Sequence, residues 1–126
     1  VVMPHPIRIC VGDIELDAEL NDSETAAKVL DVLPVDCSFN TWGDEIYFSV
    51  PVEAGPEDAQ ETVALHDLGY WPPGNVFCIF YGQTPASQGD EIRPASPVNI
   101  IGRVVGDSTV LTEATDASHI VVEEII

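Results

Sequence analysis

Residues 67–85, DLGYWPPGNVFCIFYGQTP, constrain the fold more than any other stretch of this chain. Pro72 and Pro73 fix φ, and Gly74 permits left-handed backbone, so the three make a rigid, non-helical entry into the next segment. That segment, 76–81, is six apolar or aromatic residues. Such a run, bounded by turn signals and without polar alternation, reads as a central strand buried on both faces. A second loop punctuated by Gly and Pro comes at once. Pinned turns flanking a buried strand are places where pocket rims are built.

The remaining patterning is mostly β. Ile7, Ile9 and Val11 alternate with Arg8 and Cys10. After Gly12-Asp13, Ile14, Leu16 and Ala18 alternate with Glu15, Asp17 and Glu19. This predicts a hairpin with one buried and one acidic face. Asn21 is expected to cap a helix of about three turns, with Glu24 reaching back as in a capping box. Ala26, Val29, Leu30 and Leu33 fall at helical spacing, and Pro34 ends the run.

Ile46, Phe48 and Val50 predict another strand, ended by Pro51. Residues 53–61 read as an acidic loop and 62–65 as a short strand. Residues 98–105 and 119–126 read as further strands, with a helical turn at 107–115 capped by Asp107 or Ser108. Residues 82–97 form a long loop with three prolines, and ordered loops of that length often carry function. No repeat or linker interrupts the chain, so residues 1–126 are expected to form one domain. The pattern implies a mainly β protein of about eight short strands with one or two short helices, closed into a barrel that removes exposed sheet edges.

Charge excludes some partners. Acidic residues number 22 against four basic ones (Arg8, Lys28, Arg93 and Arg103), a net charge of −18. Affinity for phosphate needs clustered Lys and Arg, so neither nucleic acid nor an anionic membrane surface is an expected partner. Self-repulsion at this density should ease as salt screens it, which suits a protein of a salty cytoplasm. No segment has the length of a membrane helix, and the opening residues lack the pattern of a signal peptide, so a cytoplasmic protein is expected.

The three cysteines occupy or adjoin apolar, strand-like runs and read as small buried hydrophobes. No C-x-x-C and no paired-histidine spacing occurs, so no metal site and no cofactor is expected.

Three segments in order, NTWGDEIYFSVP at 40–51, DLGYWPPGNVFCIFYGQTPAS at 67–87 and ASPVNIIGRVVGD at 95–107, resemble the small prokaryotic cyclophilin-like domain proteins, a family without a settled function. Residues 7–20 match its opening hairpin. The resemblance implies a cyclophilin-like β-barrel with a helix over an open end. The Phe-His-Arg strand motif of true prolyl isomerases is absent.

Two functions are expected on these grounds. The first is binding of a small ligand or an extended peptide in an aromatic-lined groove built from Asn40, Trp42, Glu45, Tyr47, Tyr70 and Trp71, with Arg93 as a charge clamp. Aromatic side chains with a polar edge suit such a surface. Adjacent strand residues face opposite ways, so Asp44 and Glu45 would not both face one site. The alternative is a peptidyl-prolyl isomerase, in which Arg93 or Arg103 polarises the twisting amide against a barrier of about 18–20 kcal/mol. The same aromatics would also serve contacts between copies in a homo-oligomer.

Overall fold

The computed structural model describes residues 5–114 and 117–125. Its strands are β1 (His5–Val11), β2 (Ile14–Leu20), β3 (Val35–Ser38), β4 (Asn40–Thr41), β5 (Glu45–Ser49), β6 (Asp67–Trp71), β7 (Val76–Phe80), β8 (Asn99–Val105) and β9 (His119–Glu124). They pair antiparallel in the order β3-β9-β1-β2-β8-β6-β7-β5-β4, a nearly closed barrel. The two ends of that order, β3 and β4, are separated in the chain by Phe39 alone.

Alternation makes the interior. Ile7, Ile9, Val11, Leu16, Ala18 and Leu20 of the first hairpin are buried, as are Ile46 and Phe48 of β5 and Phe77 and Ile79 of β7. The Phe48 and Phe77 rings stack with centroids 5.0 Å apart. β7 lies between β6 and β5, and its run is apolar on both faces because Phe77 and Ile79 face the barrel core while Cys78 and Phe80 face a second cluster with Ile92 and Val98.

Along β8 the alternation breaks. A register shift opposite Leu68/Gly69 lets Asn99, Ile101 and Val104 all face the barrel interior, while Val98, just ahead of the strand, and Ile100 belong to the outer side. An extra residue in one strand flips the faces beyond it. Plain odd–even counting therefore groups Val98, Ile100 and Val104 wrongly. Arg103 projects outward beside Asp67 of β6.

The helix α1 (Glu24–Asp31) is about two turns long, and its cap differs from the expected one. Ser23, not Asn21, is the N-cap, and its Oγ accepts from Ala26 N at 3.1 Å. Asn21 instead holds Ser23, accepting from Ser23 N at 3.0 Å. The next free amides are taken by a residue far away in sequence. Glu57 Oε2 accepts from Glu24 N at 3.0 Å, and Glu57 Oε1 from Thr25 N at 2.9 Å. A carboxylate there satisfies orphan donors and meets the positive end of the helix dipole. These bonds, led by that from the Thr25 hydroxyl, hold the Glu57 pKa below its usual value.

Behind Glu57 lies Asn99, which is 1% exposed. Its Nδ2 donates to Thr25 Oγ1 and Gly55 O, and its Oδ1 accepts from Glu57 N. One buried carboxamide thus joins β8, α1 and the acidic 53–61 loop.

Residues 62–65 form no strand; Gln60 and Val63 make isolated bridges to Val98 and Ile92 that fasten loop to loop. β3, by contrast, has no clear mark in the sequence pattern, because Val35 and Cys37 at a sheet edge are only half-buried. The turn after β8 is a 3₁₀ segment, Ser108–Glu113, capped by Asp107 Oδ1 on Thr109 N at 3.0 Å. Thr115 and Ile126, the ends expected for that turn and for the last strand, lie outside the described residues.

Candidate functional site

Outside the barrel, the face of β5, β6 and β7 carries a second apolar cluster. Cys78, Phe80, Ile92 and Val98 are buried there, with Tyr47, Trp71, Val76 and Ile100 packed against them. The long loop supplies the cover. It folds back on itself through Ser87 Oγ, which accepts from Thr84 N and Arg93 N, and through a bond from the Thr84 hydroxyl to Arg93 O. Its return limb brings Ile92, Pro94 and Ala95 over the sheet.

Between loop and sheet is a cavity of about 240 Å³ lined by Trp42, Glu45, Tyr47, Trp71, Val76, Cys78, Pro94, Ala95 and Val98. Each wall has a local cause. Trp42 enters from a tight turn in which its N–H donates to Glu45 O at 2.9 Å. Tyr47 stands opposite Cys78 in the β5–β7 ladder. Trp71 ends β6, and its Nε1 donates to Ser96 Oγ at 2.6 Å, which ties the indole to the long loop. The Pro72-Pro73-Gly74 entry is a 3₁₀ turn, but its left-handed residue is Asn75, at φ +54°. Gly74 serves another purpose: a Cβ there would lie 2.8 Å from the Trp71 ring, so only glycine lets the indole close down on the turn.

Of the seven residues expected to form the groove, the structure brings four to this cavity: Trp42, Glu45, Tyr47 and Trp71. Three lie elsewhere. Asn40, on β4, borders a separate polar depression with Thr41, Asp44 and Tyr81. Tyr70 is wholly buried, because on β6 it points into the barrel while Trp71 points out. Its hydroxyl donates to Val52 O at 2.5 Å, lies 2.9 Å from Asn75 Oδ1 and accepts from Ala54 N. Arg93 is turned to its neighbour Glu91, with Nε 2.5 Å from Oε2. Arg103 borders a different depression, with Glu19 and Asp67. Arg8 stands 3.0 Å from Glu15 and 3.8 Å from Asp17 on the first hairpin, where no aligned hydrogen bond forms to its Nε. Among the described residues, then, no guanidinium lines the aromatic cavity.

Cys78, Val76, Val98, Pro94 and Ala95 carry no site signal in the sequence. Cys78, Val76 and Val98 read there as ordinary strand apolars, and their exposure to a cavity depends on where the loop returns.

Glu45 is the unusual member. It is 5% exposed, and burial pushes its carboxyl above the ordinary value, an effect that the neighbouring Cys78 thiol only partly offsets. The thiol donates to Val76 O at 3.9 Å, a long bond. Burial, then the neighbouring Glu45, drive the Cys78 pKa well up. Cys78 is thus a neutral thiol and a poor nucleophile.

A nearly closed, nine-stranded antiparallel barrel with a loop-covered cavity on its outer face defines a small, mainly β class of fold. The chain belongs to the cyclophilin-like family, whose model matches residues 5–123. A solved structure similar to it is the solution structure of a hypothetical protein from Archaeoglobus fulgidus. That protein is 39% identical, with a TM-score of 0.83 over 99% of this chain and 98% of the other. No curated protein matches the chain. No helix among the described residues is long and apolar enough to cross a membrane.

Proposed function

We propose that this cyclophilin-like domain is a binding module that takes a small ligand, or one side chain of an extended peptide, in the outer cavity. The observation that carries the reading is the cavity itself: three aromatic side chains from three elements, held by backbone and indole hydrogen bonds, around one buried carboxyl. Preformed apolar pockets with few polar groups are the usual form of small-molecule sites. At about 240 Å³ the space suits a compact group and not a large cofactor. Binding is favoured over the isomerase alternative because, among the described residues, no guanidinium lines the cavity: Arg93 pairs with Glu91 and Arg103 stands in another depression. Chemistry at Cys78 is disfavoured by its neutral thiol.

The test is an NMR titration of the ¹⁵N-labelled protein with a fragment library and proline-containing peptides, following the Trp42 and Trp71 indole N–H signals. Saturable shifts of both indoles are expected, and Trp71→Ala should abolish them at Trp42 while the barrel amides keep their positions. Binding that survives Trp71→Ala unchanged, or a library that moves neither indole, would overturn the reading.

A further inference from the structure

Resting on the reading of the outer cavity as a ligand site, we infer that its ligand is a small organic cation, a methylated ammonium group, gripped by the faces of Trp42, Tyr47 and Trp71 with the Glu45 carboxylate as counter-ion. A charge with an apolar surface is what such a lining selects. Aromatic rings attract a cation over their faces, most strongly where water is excluded, and quaternary ammonium groups are the ligands this arrangement commonly takes. The remaining lining is Val76, Val98, Pro94, Ala95 and the neutral Cys78 thiol, which suits methyl groups and leaves a metal ion no more than two protein ligands. Among the described residues no cluster of three potential metal ligands occurs.

The second support is Glu45. An ionisable carboxyl buried to 5% exposure normally has a cationic partner. Among the described residues no Lys or Arg pairs with Glu45: Arg8, Arg93 and Lys28 are engaged by Glu15, Glu91 and Glu53 O, and Arg103 faces Asp67. Glu45 borders the cavity. Without a cation beside it such a carboxyl is relieved only by holding its proton, and a cationic ligand in that space would supply the missing partner and release that proton. The whole chain acts in the same direction, since a net charge of −18 concentrates cations and repels anions.

The experiment compares isosteres. Choline and its neutral carbon analogue 3,3-dimethylbutan-1-ol are titrated against the intact chain and against Glu45→Gln, with indole N–H shifts and tryptophan fluorescence as readouts. The inference expects choline to bind and the alcohol to bind at least roughly tenfold more weakly. Glu45→Gln should weaken choline and narrow its advantage over the alcohol, leaving the part that the aromatic faces supply. Equal binding of the two by the intact chain, or choline binding untouched by Glu45→Gln, would overturn the cation while leaving the cavity as a ligand site. Silence from both compounds and from the fragment library would remove both readings. A blocked trimethyl-lysine peptide binding more tightly than choline would support the same chemistry and assign it to a peptide side chain.

Discussion

Replacing Asn99 with alanine tests the claim that a single buried carboxamide holds three parts of the fold together. The change deletes two bonds from Nδ2, to Thr25 Oγ1 at 3.1 Å and Gly55 O at 3.0 Å, and one to Oδ1 from Glu57 N at 2.8 Å. Each net bond is worth about 1 kcal/mol, so the loss should be about 3 kcal/mol. With about 2.1 cal/mol/K of unfolding entropy per residue, a 126-residue chain should then melt about 11 °C lower. Circular dichroism melting in concentrated KCl measures this directly. Native-state hydrogen exchange at the Glu57 amide locates it, because that N–H loses its acceptor. A fall of less than about 3 °C, with the Glu57 amide still protected, would mean that water replaces the carboxamide at no cost, and the network would not be what anchors the 53–61 loop.

Three further outcomes can be measured. Burial raises the Glu45 pKa, so the folded chain keeps a proton that the unfolded chain has released; stability therefore falls as pH rises from near 4.5 through the folded pKa, and Glu45→Gln should gain on the parent over that range. Denaturant melts of the pair at several pH values isolate this slope from the opposite one given by Glu57, whose lowered pKa stabilises at higher pH, and parallel curves would refute it. Gly102→Ala should cost at least about 3 kcal/mol, because the new Cβ would lie 2.1 Å from Glu19 O in the paired strand; a normal melting temperature would show that the β2–β8 approach can open freely. Melting temperature should rise from dilute to molar KCl as screening relieves a net charge of −18, and a flat profile would count against salt adaptation.

Elements whose periodicity is set by burial could be read from the chain alone. The hairpin of β1 and β2 and the cap at Asp107 are local in origin, and the unbroken apolar run of β7 marks a strand covered on both faces without showing what covers it. The features that escaped are decided at a distance. Glu57 caps α1 from 33 residues away, and no spacing rule reaches that far. The β8 register shift moves Val104 to the inner face although Val98 and Ile100 stay on the outer one, and a one-residue irregularity leaves no compositional mark. At the cavity, Trp42, Glu45, Tyr47 and Trp71 are legible as aromatics and a carboxyl next to pinned turns. Tyr70 is not separable from Trp71, because two adjacent aromatics on a strand look alike until one knows which side is the barrel. The place of Arg93 in the long loop suggests a clamp, whereas the Glu91 two residues before it decides where the guanidinium goes.

The seam between β3 and β4 bears on how copies of this chain can meet. A sheet recruits further chains through unpaired backbone along a free edge, and the usual hazard is a long one. Here the two ends of the strand order are four and two residues long, and Phe39 links them directly. Among the described residues a second molecule finds little edge backbone to extend, so growth into a fibre or a strand-exchanged dimer has little template there. Side chains are then the larger surface open to a second copy, and most of the charge they carry is of one sign. The places where two copies could touch without repulsion are therefore the uncharged ones, and the aromatic rim of the outer cavity is among them.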